Sequence, residues 1–323
     1  MSGDERALLL RLANGPVSGD VLARDAGLTR AAVWKRIQAL REAGVRIDAR
    51  AGQGYVLAQP VDLLEAGTIQ AGLAAPAQAL LHDLRVAWSI DSTNAELLRQ
   101  PSTAAGVTAL LAEQQTGGRG RRGRSWASPL ASNLYLSVSR QFSGGLARLG
   151  GLSLVTGVAV VEALHALGLT AAGLKWPNDV LVADRKLGGI LIEGGGEHGG
   201  PVRAVIGIGL NVRMPATPGA QIDQPWVDLA GLMSAPPARN ELAAALLSSL
   251  LPALETFDGE GLAPFLPRYA GLDLLAGQAI SVHDARGVRQ GVAEGLASDG
   301  ALRVRIQDAV ESVYAGEVSV RKS

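Results

Sequence analysis

Between residues 115 and 126 the chain reads QTGGRGRRGRSW, which sets Arg119, Arg121, Arg122 and Arg124 among Gly117, Gly118, Gly120 and Gly123. Guanidinium groups this close repel one another, and glycines resist few backbone conformations, so the sequence predicts a loop that needs an anion to order it. Arginine runs also serve as solvated faces or nucleic-acid patches. Lysine usage separates the readings. Of 30 basic residues only Lys35, Lys175, Lys186 and Lys322 are lysine, and two of these fall in a second stretch, KWPNDVLVADRKLGGILIE, which begins at Lys175. A chain that otherwise prefers arginine and keeps lysine here calls for a compact ammonium charge rather than a planar fork. The implied chemistry is the handling of an anionic ligand by fixed positive charge.

Four stretches in series carry a resemblance: Ser92-Thr93-Asn94, Gln115 through Trp126, Lys175-Trp176-Pro177-Asn178-Asp179, and Arg185-Lys186-Leu187-Gly188-Gly189-Ile190-Leu191. In order and spacing the chain resembles the biotin protein ligases, in particular the bifunctional kind that is also the biotin operon repressor. The resemblance implies a two-step reaction. Biotin's carboxylate attacks the α-phosphate of ATP and releases pyrophosphate; the mixed anhydride, biotinyl-5'-AMP, then acylates a lysine of a biotin carboxyl carrier protein. Magnesium is expected with ATP, without a metal site built from this chain. Both steps concentrate negative charge, so positioning and fixed cations should supply most of the catalysis.

The same resemblance distributes roles. Lys186 is the first catalytic candidate, reaching the biotin carboxylate and the adenylate phosphate, with Gly188 and Gly189 letting the backbone approach the ligand. Arg121 is the second, holding the adenylate away from water, with Arg119 as a bidentate companion. Asp179 is a candidate base or orienting group for the incoming amine, or else a turn aspartate. Ser92, Thr93, Asn94, Gln115 and Gly120, with Arg119, Arg121 and Lys186, form the expected biotin site. Leu187, Ile190 and Leu191 help supply an apolar wall, and Ser92 also caps a helix at Ala95. Arg119, Arg121, Arg122, Arg124, Lys175 and Lys186 face ATP, Trp126 stacks on adenine, and Asn211 either reads the adenine edge or is buried at the sheet margin. One departure stands out. The family often has alanine where this chain has Gly117, which should loosen the loop and weaken retention of the intermediate.

The elements that must position these groups form an α+β chain of three expected domains: a winged helix-turn-helix over 1–60, a class II synthetase-like mixed β-sheet with helices over 61–270, and an SH3-like β-barrel over 271–323. In the first, apolar spacing predicts helices over Arg6–Ala13, from Ser18 to Ala26, and over Arg30–Ala43 behind a Thr29 cap, followed by a hairpin around Ala51-Gly52-Gln53. Nine basic residues against six acidic ones up to Pro60 make only a modest excess. Thr29, Arg30, Trp34 and Lys35 are the candidate DNA contacts, with Arg41 on the same polar side. Strands are expected over Arg85–Ile90, Thr108–Ala112, Leu134–Val138, Asp179–Ala183, Gly189–Glu193 and Val202–Asn211, and helices over Gly150–Leu167 and Arg239–Phe257. Pro215, Pro218 and Pro225 punctuate a loop from Met214 to Asp228 that exposes Trp226 and should close over the adenylate. Five alternating runs from Ala279 to Arg321 predict the small barrel, with turns at Asp284–Gly287 and Ser298–Gly300.

Composition narrows the rest. With 30 basic and 30 acidic residues in 323, any nucleic-acid contact must be a local patch. The absence of cysteine excludes disulfides, thiolate nucleophiles and thiolate metal sites, and four histidines are too scattered for a metal cluster. The N-terminal apolar run is too short for a signal peptide, and the Leu149–Leu169 stretch reads as a buried amphipathic helix, so a cytoplasmic protein without a membrane span is expected. Partners implied by the resemblance are the carrier protein, operator DNA and a second copy of the chain once adenylate is bound. Three alternatives stay open: a ligase whose N-terminal domain has no operator, a lipoate-type acyl ligase, and a ligand-sensing transcription factor.

Overall fold

The structure, a computed structural model, describes residues 2–101, 106–143, 145, 149–196, 202–216, 222–284, 287–315 and 319–322. Three helices and a hairpin come first: α1 (Ser2–Ala13), α2 (Gly19–Asp25), α3 (Arg30–Glu42), β1 (Ile47–Arg50) and β2 (Gly54–Leu57). The Ser18 hydroxyl accepts from the Val21 amide and the Thr29 hydroxyl from the Ala32 amide, so both inner helices begin where the sequence places their caps. Val33, Ile37 and Leu40 are buried and pack with Leu8, Leu9 and Leu12 of α1. The hairpin is stitched to the turn after α1 by the Val17–Tyr55 bridge. Gly54 is indispensable there, because a β-carbon would lie 2.3 Å from the Val17 carbonyl oxygen. Arg41 is turned inward, its Nε donating to the Ile47 carbonyl at 2.9 Å, and so ties α3 to the hairpin instead of lying with Arg30 and Lys35.

A seven-stranded mixed sheet follows, in the order β3-β4-β5-β9-β8-β7-β6: β3 (Leu81–Ile90), β4 (Val107–Gln115), β5 (Leu134–Phe142), β6 (Gly173–Lys175), β7 (Asp179–Val182), β8 (Arg185–Gly196) and β9 (Val202–Leu210). β3 and β4 run parallel, joined across α6 (Thr93–Arg99); every other neighbour is antiparallel. Two short helices, α4 (Ala66–Ala71) and α5 (Ala75–Leu80), lead into β3. One face of the sheet is covered by α7 (Leu152–Ala166) and the long helix Arg239–Glu260. On the other, Leu97 of α6 packs on Leu110 and Val205. The expected amphipathic α7 is buried almost all round, with eleven buried residues, because the long helix Arg239–Glu260 and the strands β6, β7 and β8 pack against it. No helix among the described residues is long and apolar enough to cross a membrane.

The C-terminal strands β10 (Ala279–Asp284), β11 (Gly287–Leu296), β12 (Leu302–Ile306), β13 (Ala309–Val313) and β14 (Ser319–Lys322) form an antiparallel sheet in the order β13-β12-β11-β10-β14. Parts of the expected turn at Asp284–Gly287, of the last strand and of the proline-punctuated loop, Pro218 included, lie outside the described residues. Among the described residues this sheet shares the core of the central one: Ile280, Val282, Leu302 and Val304 belong to the apolar cluster that fills the central sheet. The Trp176 indole adds a hydrogen bond to the Gly300 carbonyl at 3.1 Å.

The winged-helix end is also docked. The amide of Leu130, on the turn that follows the arginine-glycine loop, donates to the Ala43 carbonyl at 2.9 Å, and the Leu130 side chain completes the N-terminal core. Gly44, at φ +106°, fits between the segment after the arginine-glycine loop and the proline-punctuated loop, with the position of a β-carbon 3.0 Å from Pro129 and 3.8 Å from Pro215. Beneath, Arg239 and Glu113 make an ion pair at 2.7 Å with side chains only 4% and 3% exposed. The remaining guanidinium donors reach the Asp62 and Asn133 carbonyls, and Glu113 accepts from the Leu64 amide, so the pair clamps the segment entering the central sheet.

Candidate functional site

A cavity of about 460 Å³ opens at the ends of β4, β7, β8 and β9, and it collects nearly every residue singled out by chemistry: Ser92, Thr93, Asn94, Gln115, Arg119, Gly120, Arg121, Arg122, Arg124, Trp126, Lys175, Asp179 and Lys186. Its floor is made by register. Gly189 of β8 and Gly209 of β9 are direct cross-strand partners, and the Trp126 indole lies over both: β-carbons would stand 3.3 Å from Cζ3 at Gly189 and 2.6 Å from Cε2 at Gly209. Two adjacent glycines thus leave a flat slot for one aromatic ring. The indole Nε1 is buried there without a hydrogen-bond partner.

Lys186 enters through a hairpin and a bulge. Ala183 and Asp184, with φ of 48° and 60°, connect β7 to β8 in a two-residue turn of the kind that right-twisted strands favour. Pairing then shifts between Val180–Gly188 and Leu181–Lys186, so β8 carries one extra residue, Leu187, which is fully buried. The bulge frees Lys186 to face the cavity. Its Nζ lies 2.7 Å from Asp179 Oδ1 and 5.6 Å from the centroid of the Trp126 ring. Its backbone is held by Pro225 and Val227 of the second loop at 2.9 and 3.0 Å. Trp226, expected to be exposed, is half-buried by this pairing.

The arginine-glycine loop is braced by its own backbone and by neighbouring side chains. The Gly120 amide bonds the Arg124 carbonyl at 2.7 Å, and the Trp126 amide bonds the Gly118 carbonyl at 2.8 Å, while Arg122 takes a left-handed conformation at φ 58°. Arg119 Nη2 pairs with Glu193 Oε1 at 3.2 Å, and Arg121 Nη1 donates to the neutral amide oxygen Asn178 Oδ1 at 3.0 Å. Burial pushes the Arg121 guanidinium below its ordinary pKa, against an opposing pull from Asp179. Arg122 and Arg124 remain exposed at the mouth.

On the opposite wall Ser92 caps α6 through the Ala95 amide at 3.4 Å, as expected, and still lines the cavity. Gln115 Oε1 accepts from both the amide and the hydroxyl of Thr93, at 2.8 and 3.0 Å, while its Nε2 donates to Ser128. Asn94, 3% exposed, receives the Ser137 hydroxyl on Oδ1 at 2.6 Å and donates through Nδ2 to Glu193 at 2.8 Å. Asn211 departs from the adenine-edge expectation. It does not line the cavity; its Nδ2 donates to the Lys186 and Val227 carbonyls behind the floor, and it is 3% exposed.

Residues 86–211 match the Biotin/lipoate A/B protein ligase family, residues 5–56 an HTH domain, and residues 276–321 the Biotin protein ligase C terminal domain. The chain is 39% identical to the bifunctional ligase/repressor BirA of Escherichia coli (strain K12) over 319 residues, 98% of this chain and 97% of that protein. The chain belongs to the bifunctional biotin ligase/repressor family. Across a wider distance it is 26% identical to the BirA of Bacillus subtilis (strain 168), over 97% of this chain and 96% of that one. The biotin protein ligase of Aquifex aeolicus, solved with biotin and ATP, superposes with a TM-score of 0.65 at 27% identity, covering 75% of this chain and all of that one.

Of the candidate DNA contacts on α3, Trp34 is 54% exposed and Lys35 is exposed beside it. Arg30 is held by Asp20 at 3.2 Å in a pair both of whose side chains are more than half exposed, and the Thr29 hydroxyl is already engaged as the cap. Sequence reasoning missed Glu193, Asn178 and Ser137 as partners of the cavity residues. For Glu193 a signal was available, a lone acid ending the apolar run Ile190-Leu191-Ile192. Nothing local marks Ser137, whose role depends on where β5 lies.

Proposed function

We propose that the chain is an ATP-dependent biotin ligase, acting through biotinyl-5'-AMP on one lysine of a biotin carboxyl carrier protein, and a biotin-responsive repressor of biotin synthesis or uptake genes. The observation that carries the ligase reading is the place of Lys186 Nζ, between Asp179 and the Trp126 ring in a cavity that also gathers Arg119 and Arg121. Fixed cations there suit a carboxylate attacking a phosphate, since little reorganisation is needed as charge builds. Lys186 bridges the carboxylate and phosphate, Arg121 holds the adenylate, and Asp179, released by Lys186 when the anion arrives, orients the incoming amine. Ser92, Thr93, Asn94 and Gln115 take the ureido ring, Trp126 takes adenine, and Lys175, Arg122 and Arg124 face the phosphates that arrive with magnesium. Purified protein with ATP, magnesium and labelled biotin, lipoate or octanoate should yield the biotinyl-adenylate alone. Lys186→Ala should cut its formation by about 2 to 4 kcal/mol of barrier. Turnover within threefold of wild type would remove Lys186 from the mechanism.

The repressor reading rests on an exposed α3 docked to a ligand-holding domain. Its parts are a winged helix-turn-helix over 1–60, a class II synthetase-like catalytic domain over 61–270 and an SH3-like barrel over 271–323, in a cytoplasmic protein. Adenylate pairs two copies, and two helices on a palindrome gain about 10²-fold or more in avidity. Gel-shift titration with DNA upstream of biotin genes, with and without biotin plus ATP, tests it. Binding should rise with adenylate, fall steeply with salt, and drop on Arg30→Ala or Lys35→Ala while ligase activity persists. Identical, sequence-independent binding in both conditions would leave only the ligase.

A further inference from the structure

Glu193 touches the cavity residues without lining the cavity itself. Its Oε2 accepts from Asn94 Nδ2 at 2.8 Å, and its Oε1 pairs with Arg119 Nη2 at 3.2 Å. Asn94 stands on α6 and Arg119 on the arginine-glycine loop, so one carboxylate joins the two walls. The side chain of Glu193 is 27% exposed, which screens the ion pair only in part.

On the Asn94 side the geometry is closed. Oδ1 receives the Ser137 hydroxyl, Nδ2 donates to Glu193 and, at 3.3 Å, to the Leu191 carbonyl, and a β-carbon at Gly207 would come within 2.5 Å of Oδ1. The amide is therefore packed on one edge and fixed in orientation by a donor at one end and a charged acceptor at the other. On the Arg119 side the fork has one anchored nitrogen and a half-exposed guanidinium, so Glu193 decides where the remaining donors stand. A carboxylate is the group that serves both. A glutamine would keep an acceptor for Asn94 but turn an N–H toward Arg119, and an alanine would serve neither.

We propose that Glu193 is a positioning residue for biotin, aligning Asn94 and Arg119 through a single carboxylate. The inference rests on the ligase reading and goes beyond it, because Glu193 lies outside the lining of the cavity. Its test is steady-state kinetics of adenylate formation by the full-length chain, with melting temperatures measured alongside. Glu193→Ala should raise KM for biotin about tenfold, while KM for ATP stays within twofold and kcat within threefold. Glu193→Gln, which keeps the Asn94 bond alone, should recover to about threefold above wild type. A folded Glu193→Ala with a biotin KM within twofold of wild type overturns the proposal. So does a rise of both KM values together with a lowered melting temperature, which marks a purely structural role. Should the alanine variant not fold, Glu193→Gln carries the test, and a biotin KM indistinguishable from wild type overturns it. Wild-type protein that makes no biotinyl-adenylate would instead overturn the ligase reading.

Discussion

Gly209→Ala probes the floor of the cavity. The added methyl would meet Trp126 Cε2 at 2.6 Å, Nε1 at 2.7 Å and Cζ2 at 2.8 Å, that is, under the body of the indole. An ordinary carbon contact is about 3.5 Å, so the ring must rise by roughly 0.9 Å. Neither strand can yield instead, because Gly209 is paired with Tyr135 on one side and with Gly189 on the other. Overpacking of this kind costs about 1 to 3 kcal/mol of stability. An aromatic stack is worth about 0.5 to 1.5 kcal/mol, so a ring lifted out of register with adenine should raise KM for ATP by about twofold to twelvefold. Biotin affinity should hold within twofold, because Ser92, Thr93 and Asn94 stand on a separate wall. Gly189→Ala, whose nearest contacts are 3.2 to 3.4 Å, should do less. Adenylate formation at varied ATP and saturating biotin, with thermal denaturation in parallel, measures all of this. A folded Gly209→Ala protein with unchanged KM for ATP would refute the idea that adenine stacks on Trp126.

Arg121→Gly removes the hydrogen bond to Asn178 and a half-buried cation, and should still make biotinyl-adenylate but release it. Bystander proteins would then be biotinylated, and equal bystander labelling by wild type would contradict this. Gly117→Ala should be well tolerated, since the nearest atom to a β-carbon there is the Asp91 carbonyl oxygen, at an ordinary 3.4 Å. Urea unfolding should show a gain of about 0.4 to 1 kcal/mol through the unfolded chain, and a loss would count against it. Asp273 has one carboxylate oxygen buried without a partner, and burial raises its pKa. The native state then holds the proton more tightly than the unfolded chain, whose value is about 3.9. Stability from this group therefore falls as pH rises from that value through the raised native one. Asp273→Asn should gain melting temperature over wild type more at pH 7 than at pH 4; a gap that does not change with pH would refute the assignment.

The site was legible where its chemistry is local. Ser92-Thr93-Asn94, the arginine-glycine loop and Lys186 announce themselves by residue type and spacing, and the helix caps Ser18 and Thr29 are local for the same reason. What escaped depends on pairing between distant segments. That Gly189 faces Gly209, that Leu187 is the extra residue of a bulge, and that Glu193 reaches Asn94 are facts of register, which no window of sequence contains. The protein partners of the loop escaped in the same way, because Glu193 and Asn178 come 74 and 57 residues later. The three-residue strand β6, the helices α4 and α5, and the inward turn of Arg41 were missed because short elements and single contacts are decided by what lies against them.

Leu130 gives the docking of the winged helix a mechanical meaning. It belongs by sequence to the stem of the arginine-glycine loop and by packing to the core beneath α3, and Gly44, at the end of that helix, bears on Pro129 and Pro215 from two separate loops. With 13 residues, α3 is a rod of about 20 Å fastened at its C-terminal end. A tilt of about 5° at that end sweeps Arg30, at the other, through roughly 1.7 Å, by the same helical rise. The fulcrum lies beside two loops that help line the cavity and the long arm carries Arg30, so a displacement too small to disturb the cavity is magnified at the far end of the helix.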